Sequence, residues 1–192
     1  MKNNNLFAVI SITLGVLLII SIIININYFY NKPKCKENLK LSDFVKEEIS
    51  KNDFEINLFA DKKIYKTTDK INIWATLKYV GNNDTVKIWH GSSYMIFSIT
   101  DGKDFNVEGV INTMLTSTIL EKNKLYRFDY QKSGGFDADG PKADFWEKFY
   151  QEKYLLLPAG EYTITVKGDF DIYDDLQNSD DLLCSLTIKV EK

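Results

Sequence analysis

The stretch Ile71-Asn-Ile-Trp-Ala-Thr-Leu-Lys-Tyr79 settles the fold class. Ile71, Ile73, Ala75, Leu77 and Tyr79 alternate with Asn72, Trp74, Thr76 and Lys78. A period of two places one set on each face of a pleated strand, whereas a helix would scatter both sets around its axis. The same alternation recurs on either side. Before it, Phe54, Ile56 and Leu58 alternate with Glu55, Asn57 and Phe59. After it come Val86, Ile88 and His90, then Tyr94 to Ile99, then Tyr126, Phe128 and Tyr130 against Leu125, Arg127 and Asp129. Tyr162, Ile164 and Val166 form another set, and Leu182, Cys184, Leu186, Ile188 and Val190 oppose Leu183, Ser185, Thr187 and Lys189. Gly81-Asn-Asn-Asp84, Asp101-Gly102, Gly134-Gly135 and Pro158-Ala-Gly160 punctuate these runs with residues that favour turns. Short strands separated by polar turns predict an all-β chain folded as an antiparallel sandwich or barrel. Tyr162, two residues after Gly160 at a strand start, has the spacing of a tyrosine corner, in which the phenol bonds backbone upstream, and this favours the β-sandwich.

Two segments depart from the period of two. Ala143 to Tyr154 carries Phe145 and Phe149 four apart and Trp146 and Tyr150 four apart, with Asp144 and Glu147 near its start. This predicts a short amphipathic helix inserted between strands, with acids where the helix dipole favours them. Leu41, Phe44, Val45 and Ile49 also share a helical face, and Ser42 or Asp43 supplies a cap, so Leu41 to Lys51 is expected to be a short helical stalk.

Composition bounds the rest. Of 192 residues, 44% are hydrophobic and 27% charged, a balance that supports a folded core. A net charge of -3 leaves no basic footprint for nucleic acid. One His and two Cys rule out a His/Cys metal cluster and a disulfide framework. Charge is unevenly spread, since Lys2, Lys32 and Lys34 are the only charged side chains before Lys36. Between them Leu6 to Ile26 forms an apolar run, about 30 Å long as a helix and so matched to a bilayer core. Tyr28, Phe29 and Tyr30 follow as an interfacial aromatic belt. The run ends without the small-residue pattern of a cleavage site, so an uncleaved transmembrane anchor is expected, with the membrane as partner. The expected organisation is an anchor over 1–30, a polar linker and short helix over 31–52, and a β-domain over 53–192.

Three further features carry the resemblance. They are Tyr65-Lys-Thr-Thr-Asp-Lys-Ile-Asn-Ile73 leading to Tyr79-Val-Gly-Asn82, then Phe97-Ser-Ile-Thr-Asp-Gly-Lys103, then Leu157-Pro-Ala-Gly-Glu-Tyr-Thr-Ile164. Together they resemble the immunoglobulin-like ectodomains of uncharacterised cell-surface proteins of bacilli and relatives. More distantly, they resemble the intracellular proteinase inhibitor family of bacilli. The resemblance implies an immunoglobulin-like sandwich with an extracytoplasmic location. It also bears on orientation. Lys32, Lys34 and Lys36 after the span outnumber Lys2 before it, which by the positive-inside rule alone puts the domain in the cytoplasm. The resemblance puts the domain outside, and that orientation is the expectation.

Candidate chemistry is sparse. His90 stands beside Ser92 and Ser93, but no Gly-x-Ser-x-Gly elbow accompanies it, so it is expected to be a structural or rim histidine at a strand end. Asp137, Asp139 and Asp144 supply the oxygen ligands a hard cation prefers, without the full spacing of a calcium loop. Asp169, Asp171, Asp174, Asp175, Asp180 and Asp181 form a second acidic group, expected to be a solvated surface. Cys184 is expected to be a small core residue, the alternative being a bridge to Cys35. No catalytic residue and no cofactor site is predicted. The expected partner surface is the insertion from Gly134 to Tyr154, with Phe136, Asp137, Asp139, Trp146 and Tyr150 as contact candidates and Phe145 and Phe149 as anchors of the helix. The expected function is a membrane-anchored binding or scaffolding module at the cell surface. The alternative is a protease inhibitor, which the family resemblance suggests although no reactive-site motif matches.

Overall fold

Ten strands and one helix form within residues 45–51, 53–110, 114–173 and 182–192, the parts of the chain that the computed structural model describes. These residues belong to one unit, Lys40–Lys192. The expected anchor at Leu6 to Ile26, the linker with Cys35, and Asp174, Asp175, Asp180 and Asp181 lie outside the described residues. No helix among those described is long and apolar enough to cross a membrane.

The chain is mostly β, with two sheets and one short helix. In the first sheet the order is β1 (Val45–Lys51), β2 (Phe54–Ala60), β4 (Ile73–Tyr79) and β8 (Leu125–Asp129), all antiparallel. The second sheet runs β3 (Ile64–Lys66), β10 (Leu182–Glu191), β9 (Gly160–Asp171), β5 (Thr85–Thr100) and β6 (Asn106–Glu108), with β7 (Thr116–Glu121) also paired to β5. The apolar members of each alternating set meet in one core that includes Ile56, Leu58, Ala75, Leu77, Ile99, Ile164 and Ile188. Strand β10 shows the pattern without interruption, Leu182 to Val190 buried at every second position and exposed between. That is the signature of a strand with one dry and one wet face.

Val45–Lys51 form a strand and not the expected helical stalk. Val45 and Ile49 are four apart, a spacing that places two residues on one face of a strand as well as of a helix. What decides between them is the partner. Lys51 pairs with Phe54 and Val45 with Ala60, so β1 and β2 make a tight antiparallel hairpin. Asp53 has φ of 67°, the left-handed conformation a tight hairpin requires. The β-domain boundary expected at Asp53 therefore falls inside a hairpin.

His90 does not end a strand either. β5 runs sixteen residues through Gly91-Ser92-Ser93, and its register against β9 shifts between His90 and Met95. Four residues are accommodated there opposite one, as a bulge. The bulge leaves His90 buried, with Nε2 2.8 Å from Thr118 Oγ1, Nδ1 against the Gly91 carbonyl, and the ring 4.3 Å from that of Tyr94. It is a structural histidine on all of these contacts.

Two tyrosines lock turns to strands. Tyr162 Oη donates to the Pro158 carbonyl at 3.0 Å, four residues upstream, as the corner spacing predicts. Tyr65 donates to Asp61 Oδ1 at 2.6 Å and accepts from the Lys62 amide at 2.9 Å. Asp61 in turn accepts the amide and the side chain of Asn72, which ties the β3 approach to the start of β4. Burial and the Asp61 carboxylate both push the Tyr65 phenol far up, so it stays a donor. Cys184 is buried against the core as expected, and its thiol is pushed up by that burial.

Candidate functional site

Helix α1, Ala143–Gln151, and the loop before it form the surface singled out by the sequence. The helix is shorter than expected. Glu152 turns extended, with ψ of 127°, and its amide still bonds the Lys148 carbonyl. Lys132, just after β8, ends it. Its ammonium donates to the carbonyl oxygens of Phe149 and Glu152 and lies 4.8 Å from the Phe149 ring centre. A cation at the last turn satisfies carbonyls that the helix leaves open and opposes its dipole. The N-terminus has Asp144 in its first turn and no side-chain cap.

The helix docks through one ring. Phe149 is 6% exposed, whereas Phe145 is 38% exposed and covers the rim without anchoring it. Trp146 and Tyr150 are half-buried. The common partner of Phe145, Trp146 and Phe149 is Phe105, a residue the sequence reading did not single out. Its ring centre lies 5.1 Å from Trp146, 5.5 Å from Phe149, 6.3 Å from Phe145 and 5.3 Å from Tyr162. Phe105 follows the β5–β6 turn. There Asp101 Oδ1 accepts the amides of Lys103 at 2.8 Å and Phe105 at 3.0 Å, and Gly102 takes φ of 71°. These amide bonds hold the Asp101 carboxyl below its ordinary value. Asp101-Gly102 was legible as a turn, but a single Phe after it has no period to betray that it seats a helix.

Gly134 is needed for the approach of this insertion. Its φ is 124°, and a side chain there would meet the Tyr150 hydroxyl at 2.7 Å. Beyond it, Phe136 stacks on Tyr150 at 6.0 Å with an interplanar angle of 12°, leaving the other face of Phe136 to solvent. Residues 134–139 are exposed. Asp137 Oδ1 accepts the Asp139 amide at 3.0 Å, so this carboxylate shapes its own loop. Asp139 and Asp144 are exposed, and among the described residues no three His, Cys, Asp or Glu side chains converge as a metal site would require. Asp169 and Asp171 lie on β9, Asp169 in an ion pair with Lys167 at 3.1 Å and Asp171 buried.

Trp146 separates two shallow pockets. One, of about 390 Å³, is lined by Asp101, Asp104, Phe105, Lys142, Phe145 and Tyr162 among others. The second, of about 330 Å³, is lined by Asn106, Phe136, Asp137, Gly140, Pro141 and Ala143. Trp146 and Lys142 line both, and Lys142 pairs with Asp104 at 3.1 Å. Under the C-terminal end of the helix, Lys70, Tyr130, Lys132, Tyr150, Lys153 and Tyr154 line a pocket of about 500 Å³. The Tyr130 hydroxyl is buried with no hydrogen-bond partner among the described residues, and burial pushes its phenol far up. The arrangement provides aromatic faces, two signs of charge and shallow concavities. It is suited to contact.

No family model and no curated protein matches this chain. Among solved structures, a β-glucosidase from Erythrobacter marinus is similar at 15% sequence identity with a TM-score of 0.39, over 72% of this chain. The similarity covers 15% of the glucosidase chain.

Proposed function

We propose that the chain is a single-pass membrane protein whose Leu6 to Ile26 run anchors an immunoglobulin-like domain at the extracytoplasmic face of the cell membrane. There it binds or scaffolds a protein or cell-wall partner through helix α1 and the loop from Gly134 to Pro141. The observation that carries this reading is the split in the insertion's aromatics. Phe149 is the one fully buried ring of the insertion, while Phe136 and Phe145 stay exposed and Trp146, packed against the core on one side, walls two adjoining pockets. An insertion that only closed the core would bury its rings, and surface aromatics beside charged rims are what protein interfaces use as anchors. The length of the apolar run and the aromatic belt after it support the anchor.

The test compares two variants in intact cells. Phe149→Ala is expected to lower stability by about 3 kcal/mol. Trp146→Ala is expected to melt within a few degrees of wild type and to lose the partner that cross-linking captures on wild type. Protease added to wall-stripped cells is expected to degrade the domain. Retention of every partner by Trp146→Ala would end the binding assignment, and protection of the domain until lysis would reverse the orientation.

A further inference from the structure

We infer that the open edge of the first sheet, strand β8, is a self-association site that joins two copies of this chain antiparallel in one register. The two edges of that sheet are not equivalent. β1 packs beside β10 of the facing sheet, whereas among the described residues no strand pairs with β8 on the side away from β4. The phase of β8 is set by the Tyr130 amide, which bonds the Ile73 carbonyl at 2.9 Å. In an antiparallel ladder, hydrogen-bonded pairs alternate with non-bonded ones. Tyr126 and Phe128 therefore turn their backbone groups to Leu77 and Ala75 of β4. Leu125, Arg127 and Asp129 turn theirs outward, a row of donors and acceptors ready for a further strand.

The side chains choose the strand. Arg127 and Asp129 sit on the solvent face, 57% and 65% exposed, with their ion pair at 2.7 Å. The Arg127 guanidinium lies 4.7 Å from the Trp74 ring centre, which holds it flat against the sheet. Three two-fold registers set outward-facing backbone groups opposite one another. Centred on Arg127, the pairing opposes two arginines. Centred on Tyr126, it sets Arg127 against Leu125. Centred on Phe128, it sets each Arg127 opposite Asp129 of the second copy, so four charges of alternating sign form a square. The same register brings Phe128 against its counterpart, and Tyr126 against Tyr130, on the inner face. There Phe128 already lines an open cleft of about 530 Å³ with Met95, Phe97 and Val110. Charges usually blunt a sheet edge, but these two sum to zero and complement their own copy when reversed. The inference does not depend on the helix α1 surface.

The test uses the full chain in detergent micelles, followed by sedimentation velocity over a wide concentration range. Wild type is expected to associate reversibly. Arg127→Asp and Asp129→Arg, each alone, oppose like charges in the Phe128-centred register and are expected to associate at least tenfold more weakly. In their equimolar mixture both cross-strand pairs, 127 facing 129 in each direction, are again of opposite sign, and the mixture is expected to associate more strongly than either variant alone. Any association made by the apolar run is common to all samples and cancels in the comparison. Both sites are on the solvent face, so each variant is expected to melt as wild type does. A monomeric wild type, single variants that associate unchanged, or a mixture no stronger than its components would each overturn the inference.

Discussion

The Tyr162 ring is 2% exposed, and its one polar atom is satisfied by the Pro158 carbonyl at 3.0 Å. The bond closes the turn that feeds β9, the strand lying between β5 and β10 in the second sheet. Tyr162→Phe keeps the ring and its contact with Phe105 but leaves that carbonyl without its donor. A buried hydrogen bond of this kind contributes about 1 kcal/mol. The urea midpoint of the variant is expected to fall by that amount, and an unchanged midpoint would show that the hydroxyl is dispensable. This corner was legible because Gly160 and Tyr162 are near neighbours in sequence. Tyr65 was legible only in part. Its place at the head of a strand could be read, but its acceptor Asp61 and the link to Asn72 depend on a turn whose path the spacing does not reveal.

Among the elements, the β5–β6 hairpin couples a surface carboxylate to the seat of helix α1. Asp101 is solvated, and its carboxyl is held below its ordinary pKa first by the Phe105 amide and then by the Lys103 amide. A carboxyl depressed in the folded state adds stability that is present above its unfolded value and lost as pH falls through the folded one. The hairpin is therefore expected to loosen as pH falls below about 4. Asp101→Asn keeps an acceptor oxygen without a charge. Its urea midpoint is expected to fall less than that of wild type over the same range, and equal slopes would exclude Asp101 as a source of acid sensitivity. Where the sequence misled, the cause lies at this scale too. β3 and β6 have three residues each, too few to show a period, and β7 buries only Leu120. Gly91-Ser92-Ser93 has the composition of a turn but is a bulge carried inside β5 by its pairing with β9. In the insertion, i,i+4 aromatics announced the helix, yet which ring goes inward depends on where Phe105 arrives from another hairpin.

In the molecule as a whole, the hairpin of β1 and β2 decides where the cooperative unit begins. β2 carries Ile56 and Leu58, both without exposed surface, and β1 shields its outer edge along seven paired residues. Val45 and Ile49 pack against the core from β1. Two half-buried aliphatic side chains account for about 2 kcal/mol. Without β1, the backbone of β2 becomes a long edge beside an apolar core, the usual template for aggregation. A chain shortened to begin at Leu39 is expected to be soluble, β-rich by circular dichroism and cooperative in urea. One shortened to begin at Asp53, where the alternation first becomes obvious in the sequence, is expected to unfold at a lower urea midpoint by that amount and to elute in part as aggregate. Equal midpoints and equal elution would place β1 outside the cooperative unit.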